Sequence, residues 1–192
     1  MIENNSQNQH SATFSVQNVV VSVELKRNLD LKVITEAYLD VEKNMNKFPG
    51  ICLRLSRPKC AILLFANGKM VITGLKKTKD AEIVVKKVKE RLKHIDITIP
   101  QDPKIEVVNL VVSLELSNSY IDLDEASLLL MQSIYEPEIF PGLIYRMYKP
   151  FKAVYLIFSS GKIVLTGLKA ENQIKPAILH IGKTLKNQGL LK

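Results

Sequence analysis

Two hydrophobic rhythms alternate along this chain. From Phe14 to Leu25 apolar and β-branched residues are dense enough for a strand, and Asp30 then stands as an N-cap before a helix predicted over about 31–45, with Ile34, Ala37, Tyr38 and Val41 on one face. Three short strands are predicted near 51–57, 60–66 and 69–75. The last two are joined by Ala66-Asn67-Gly68, and Asn-Gly between apolar runs is a strong hairpin signal. Ile83, Val84, Val88 and Leu92 then recur at helical spacing over about 79–93, and Ile95, Ile97 and Ile99 alternate as a further strand would. The order then recurs: a strand over about 105–117, a helix over 122–134, strands near 143–149, 152–159 and 162–168, and a helix over 174–187. Residues 1–12 are polar, rich in Asn and Gln, and read as a disordered tail.

The recurrence is literal as well as rhythmic. Asn18-Val19-Val20 returns as Asn109-Leu110-Val111, Phe48-Pro49-Gly50 as Phe140-Pro141-Gly142, and Lys69-Met70-Val71-Ile72-Thr73-Gly74 as Lys162-Ile163-Val164-Leu165-Thr166-Gly167. A repeat this long exceeds the stacking unit of a solenoid, roughly 20–50 residues. We therefore read 13–100 and 101–192 as two copies of one half-domain, in an α+β fold with two helices and four or five strands per copy. Such pseudo-twofold symmetry suits a target with an approximate dyad, as duplex nucleic acid has.

The strands pose a problem that bears on function. Cys60–Phe65 and Val154–Phe158 are apolar at successive positions, a pattern proper to a sheet covered on both faces. Helices in such an antiparallel layout cover one face. The other needs either a partner or a second layer that the sequence does not reveal, and large exposed apolar patches mark binding surfaces.

Composition narrows the partner. The chain has 192 residues and a formal net charge of +8, which suits an acidic partner such as nucleic acid or an anionic membrane surface, or ordinary solubility alone. Cys52 and Cys60 lie outside any Cys-x-x-Cys pair and far from histidine, which argues against a zinc site or a disulfide framework and for reduced thiols. No apolar run reaches the roughly 18 residues of a spanning helix, and no signal-peptide pattern opens the chain. A soluble intracellular protein is expected.

At these motifs the chain resembles the conserved core of the TATA-box-binding protein family of general transcription initiation factors. The resemblance spans about 14–190, and its most specific stretch runs from Tyr135-Glu136-Pro137-Glu138-Ile139-Phe140-Pro141-Gly142 through Leu143-Ile144-Tyr145-Arg146-Met147. It implies a saddle: a curved antiparallel sheet whose concave face lies on the DNA minor groove, with the helices on the convex back. It also implies TATA-box binding, DNA bending, and recruitment of transcription factor IIB and RNA polymerase, with no catalysis, cofactor or metal.

By period-2 alternation Asn18 and Val20 share a face, as do Leu63 and Phe65, and Val71 and Thr73; their counterparts are Asn109 and Val111, Leu156 and Phe158, and Val164 and Thr166. The resemblance places these against bases, with the Asn and Thr residues donating near the centre of the site. Phe48 and Phe65 would wedge one end and Phe140 and Phe158 the other, helped by Pro49 and Pro141. The minor groove shows only acceptors at A·T pairs, so an apolar surface with few donors suits A·T-rich sequence. Arg54, Lys59, Lys69, Arg146, Lys152 and Lys162 line the rim as candidate phosphate contacts.

The copies also differ. Phe48 to Phe65 is 17 residues, the family spacing, whereas Phe140 to Phe158 is 18, the extra residue falling in 148–153 and unsettling the match of Lys152 to Lys59. Ser56 stands where the family usually has a basic residue. Glu136 and Glu138 replace Asn44 and Asn46, so one stirrup of the implied saddle is acidic, and the resemblance makes it the site for transcription factor IIB. Lys86, Lys87, Lys89, Arg91 and Lys93 give the first copy a basic helix, against a sparser Lys175, Lys183 and Lys186; charge alone reads it as a solvated face, while the resemblance makes it a docking surface for regulators and adds transcription factor IIA as a partner on the convex face. The net charge, the lack of an acidic C-terminal tail and the Glu136–Met147 stretch point to a eukaryotic, nuclear protein, with archaeal cytoplasm as the alternative.

Two other function classes compete. One is a nucleic-acid-processing enzyme domain on a related scaffold, but His10, His94 and His180 fall at non-equivalent places and no nucleophile–base pair, metal cluster or phosphate loop emerges. The other is a scaffold binding protein or lipid through its apolar face. Only DNA also accounts for the paired Asn and Thr residues and the basic rim.

Overall fold

The structure, a computed structural model, describes residues 12–43, 49–100, 102–117 and 119–192. The chain forms two compact units, one of Val16–Val111 with Lys169–Glu171, the other of Val112–Leu168 and Asn172–Lys192 with the start of the first strand. The division runs inside a strand, between Val111 and Val112.

In the first unit the elements run β1 (Ala12–Glu24), α1 (Leu31–Ala37), β2 (Val41–Lys43), β3 (Gly50–Ser56), β4 (Lys59–Phe65), β5 (Lys69–Leu75) and α2 (Asp80–Lys93). Next come β6 (Lys104–Leu116), α3 (Leu123–Leu129), β7 (Ser133–Ile134), β8 (Leu143–Met147), β9 (Ala153–Ile157), β10 (Lys162–Leu168) and α4 (Ile174–Asn187). The strands of one copy lie in the order β2-β3-β4-β5-β1 and those of the other in the order β6-β10-β9-β8-β7. This is the α+β, two-copy layout expected from the sequence.

Alternation decides what is buried. Val19, Val21 and Val23 of β1, Ile62 and Leu64 of β4, and Met70 and Ile72 of β5 are buried, as are Val84, Val85, Val88 and Leu92 of α2. In the second copy Tyr155 of β9 is buried at the same level as Ala177 and Ile181 of α4, and its hydroxyl donates to the Ala177 carbonyl at 3.0 Å. Burial pushes that phenol well above its ordinary range.

Matching details show that the copies share a blueprint. Leu25 N–H donates to Gly68 O at 3.0 Å and Leu29 N–H to Ala66 O at 2.8 Å; Leu116 N–H reaches Gly161 O at 3.2 Å and Ile121 N–H reaches Ser159 O at 3.0 Å. Both hairpin glycines have positive φ, and a Cβ on Gly68 would lie 2.0 Å from the Arg27 carbonyl oxygen. Asp30 and Asp122 both cap helices through their side chains.

Three expectations fail. The helix expected over 31–45 ends at Ala37, because Tyr38 is extended and Val41 pairs with Leu53 in β2. The helix expected over 122–134 likewise ends at Leu129, and Gln132, with φ 67, turns the chain into β7. Ile95–Ile99 forms no strand: Asp96 adopts φ 60, Asp96 N–H bonds Lys93 O and Ile97 N–H bonds Leu92 O, closing α2 with a Schellman turn. Residues 1–11 of the expected tail lie outside the described residues, and Ala12 belongs to β1.

Candidate nucleic-acid interface

In each copy the strand face turned from the helices carries the described residues expected to meet DNA. Pairing assembles them into rows: Ser22↔Val71, Val71↔Leu63 and Leu63↔Cys52, then Cys52↔Glu42 at the edge. In the second copy Val164↔Leu156, Leu156↔Ile144 and Ile144↔Ile134 form the equivalent row. Val71, Leu63, Val164 and Leu156 are half-buried, while their strand neighbours Ile72, Leu64, Leu165 and Ile157 are buried. These rows thus keep partial solvent exposure where the opposite face does not.

Polar groups flank the first row. The Asn18 side-chain nitrogen lies 3.2 Å from Thr73 Oγ1, and its oxygen accepts the Gly74 N–H at 2.7 Å. Gly74 has φ 94, which favours glycine, and the register of β1 against β5 shifts between Val19 and Val21, so a bulge sets Asn18 and Val20 against β5. With its oxygen occupied, the Asn18 amide presents a donor. On β6, Asn109 and Val111 are half-buried between buried Leu110 and Val112; Thr166 is half-buried on β10.

The expected wedge pair of the second copy is assembled. Phe140 and Phe158 meet edge to face with ring centroids 5.8 Å apart. A Cβ on Gly142 would lie 2.8 Å from Phe140 Cε1 and 3.1 Å from Phe158 Cε1, which gives the residue after Pro141 a steric reason to be glycine. Ile139 and Phe140 both donate backbone N–H groups to the Glu136 carbonyl, a tight turn that leaves Glu136, Glu138 and Pro141 exposed. In the first copy Phe65 is half-buried opposite Gly50 and Pro49 is exposed; Phe48, Asn44 and Asn46 lie outside the described residues.

The rim is less uniform than the sequence suggests. Lys59, Lys69, Lys152, Lys162 and Arg146 are exposed. Lys59 pairs with Ser56 at the end of β4, whereas Lys152 sits in a five-residue connection between Met147 and Ala153, where the extra residue is absorbed. Arg54 is held by Glu42, which keeps the Glu42 carboxyl below its usual range. On α2, Lys87 donates to Arg57 O at 2.6 Å and Lys89 to Pro100 O at 3.1 Å. Arg91 forms a two-point pair with Asp40 and lies 4.3 Å over the Tyr38 ring, whose hydroxyl donates to Arg91 O, so it braces the end of α1 rather than standing free. Lys86 and Lys93 are exposed.

Sequence reasoning missed Glu42, Cys52, Ile134 and Ile144 as members of this face. Pairing register reveals them; the helices expected over 31–45 and 122–134 concealed Glu42 and Ile134. Cys52 is half-buried on the open face, while Cys60 is buried on the helix side and burial raises its thiol pKa. Among the described residues no helix is long and apolar enough to cross a membrane, and no group of acidic, His and Cys side chains could hold a metal.

The family described as transcription factor TFIID (or TATA-binding protein, TBP) matches residues 13–95 and 104–188. A TATA-box-binding protein from Pyrodictium occultum is 46% identical over 91% of this chain and 86% of its own length. One from Aeropyrum pernix is 44% identical over 89% and 83% respectively. The solved structure of Methanococcus jannaschii TBP superposes with a TM-score of 0.81 at 40% identity, covering 91% of this chain and 98% of its own. These relatives are archaeal, against the eukaryotic leaning of the sequence features.

Proposed function

The chain belongs to the TATA-binding protein family, a family of non-enzymatic general transcription factors that bind TATA-box DNA, and from that premise we propose how its own residues do the work. The open face of each copy lies on the minor groove of A·T-rich duplex. Val71 and Leu63, with Val164 and Leu156, pack on sugar and base edges, where a guanine amino group would lose its water without gaining a partner. Asn18, Thr73, Asn109 and Thr166 donate to base acceptors.

Phe140 and Phe158 enter a base step and kink the duplex, and Phe48 and Phe65 do so at the other end. Lys59, Lys69, Lys152, Lys162 and Arg146 fix register on phosphates and make affinity salt-dependent. The exposed turn bearing Glu136 and Glu138 engages a basic surface of a factor of the transcription factor IIB class, which brings in polymerase. The archaeal relatives favour the archaeal cytoplasm as the setting.

The observation that carries this reading is the row of half-buried apolar residues opposite the buried face of the same strands, flanked by the Asn18 amide. A gel shift comparing TATA-containing and scrambled duplexes at several salt concentrations tests it. Preference for the TATA duplex with a negative log-log salt slope is expected. Equal binding to both duplexes would leave only a general nucleic-acid binder.

A further inference from the structure

The two copies end their open-face rows differently. The register is the same in both, since Val41↔Leu53 and Glu42↔Cys52 at one edge correspond to Ser133↔Tyr145 and Ile134↔Ile144 at the other. Ile134 is therefore the structural counterpart of Glu42, and Arg146 of Arg54, each two residues beyond the paired position on β8 and β3. Diagonal neighbours of this kind are within reach of long side chains on one face of a sheet.

In the first copy the diagonal is an ion pair. Arg54 Nε donates to Glu42 Oε1 at 3.1 Å and Arg54 Nη2 donates to Oε2 at 3.4 Å. In the second, Ile134 offers no acceptor, and Arg146 has no ion-pair partner among the described residues. One outer edge thus presents a guanidinium neutralised by a carboxylate, and the other presents a guanidinium beside an isoleucine that is 48% exposed.

We infer that Glu42 tempers the phosphate grip of the first copy, occupying Arg54 and setting a negative charge at the edge of the DNA face, so that the second copy is the stronger anchor. This rests on the DNA reading above. The Glu42–Arg54 pair is exposed and weak as a source of stability, 64% and 66% of the respective side chains being accessible. A phosphate contact at such a site is of the same order, so a neighbouring carboxylate competes with it on comparable terms. Even where phosphate displaces the carboxylate from Arg54, the charge of Glu42 stays near the backbone.

The test is a set of salt titrations of TATA-duplex affinity for the full chain and its variants. Glu42→Gln preserves shape and removes charge; it is expected to tighten binding about fivefold at low salt and steepen the log-log slope by about 0.9, one additional phosphate contact. Arg54→Ala is expected to alter the wild-type slope little but to cost about 0.9 in the Glu42→Gln background. Ile134→Glu, which transplants the carboxylate beside Arg146, is expected to weaken binding and flatten the slope by a similar amount.

Unchanged affinity and slope for Glu42→Gln, with Arg54→Ala and Arg146→Ala each lowering the wild-type slope by about 0.9, would overturn the tempering role while leaving DNA binding intact. A wild-type slope near zero would overturn the DNA reading and this inference with it.

Discussion

Asn18 and Thr73 meet across β1 and β5, the amide nitrogen 3.2 Å from the hydroxyl oxygen, while the Asn18 oxygen is already claimed by the Gly74 N–H at 2.7 Å. The amide is thereby oriented: its oxygen is held by the β5 backbone, and its nitrogen keeps a second hydrogen for another acceptor. Asn18→Asp keeps the acceptor that Gly74 uses and replaces the donor with a second oxygen. TATA affinity is expected to fall at least tenfold, because an acceptor would face acceptors. The melting temperature is expected to move by less than about 4 °C, since the structural acceptor is kept. A gel shift paired with a thermal melt separates the two effects. Undiminished affinity would remove Asn18 from base recognition.

Phe140→Ala combined with Phe158→Ala is expected to abolish most of the bend. Unstacking a base step costs a few kcal/mol, which the inserted rings must offset. Both rings are only half-buried, so the fold should persist in circular dichroism. Energy transfer between dyes at the duplex ends reads the bend directly. An unaltered transfer efficiency would assign the rings to packing alone.

Reversing Glu136 and Glu138 to Arg is expected to leave binary TATA binding intact or slightly tighter, since negative charge near phosphate is lost. The ternary complex with a factor of the transcription factor IIB class is expected to weaken tenfold or more, about 1.4 kcal/mol or above, as paired charges become like charges. The same reversal at Asn44 and Asn46 is the control and should do little. Equal ternary affinity for wild type and the Glu136/Glu138 reversal would place the partner elsewhere.

Stability in acid tests the brace at the end of α1. The Arg91 hydrogen bond holds the Asp40 carboxyl below its ordinary range, outweighing the opposing cost of burial. The unfolded chain therefore takes up this proton at higher pH than the folded one. The contribution is complete above the usual carboxylate pKa near 4 and is lost as pH falls through the depressed folded value. Asp40 is 58% exposed, so solvent screening limits the effect to under about 1 kcal/mol. Urea midpoints of wild type and Asp40→Asn should differ at pH 7 and converge once the pH has fallen through the depressed folded value. Curves that stay parallel throughout would deny the pair any role in stability.

Most of the fold was legible because apolar alternation and turn glycines are local signals. The hairpins at Gly68 and Gly161 have the φ that glycine permits, and Asp30 and Asp122 cap the helices they precede. Failure came where a local pattern was ambiguous. Asp96 and Gly189 close α2 and α4 with matching Schellman bonds, but only the glycine announces a left-handed residue, so Ile95, Ile97 and Ile99 resembled a strand. Tyr38 and Val41 continue the helical spacing of α1, yet Tyr38 is bound to Arg91 and Val41 to β3. That second error hid Glu42 from the open face. The wedge and donor residues came from repetition and family resemblance, whereas the ion pairs at Arg54 and Arg91 depend on register and on a helix end that no spacing rule specifies.

The division of the two cysteines gives the chain a built-in footprinting probe. Cys52, half-buried on the open face, is the thiol expected to react with a small maleimide, whereas Cys60 is buried and its thiolate is disfavoured by burial. Alkylation of the native protein should therefore stop at one adduct, located at Cys52 by peptide mass. Saturating TATA duplex should slow that adduct, while a ligand seated on the helices should leave its rate unchanged. A single unlabelled protein can thus report, by the arrival time of one mass increment, which side of the first copy's sheet any partner occupies.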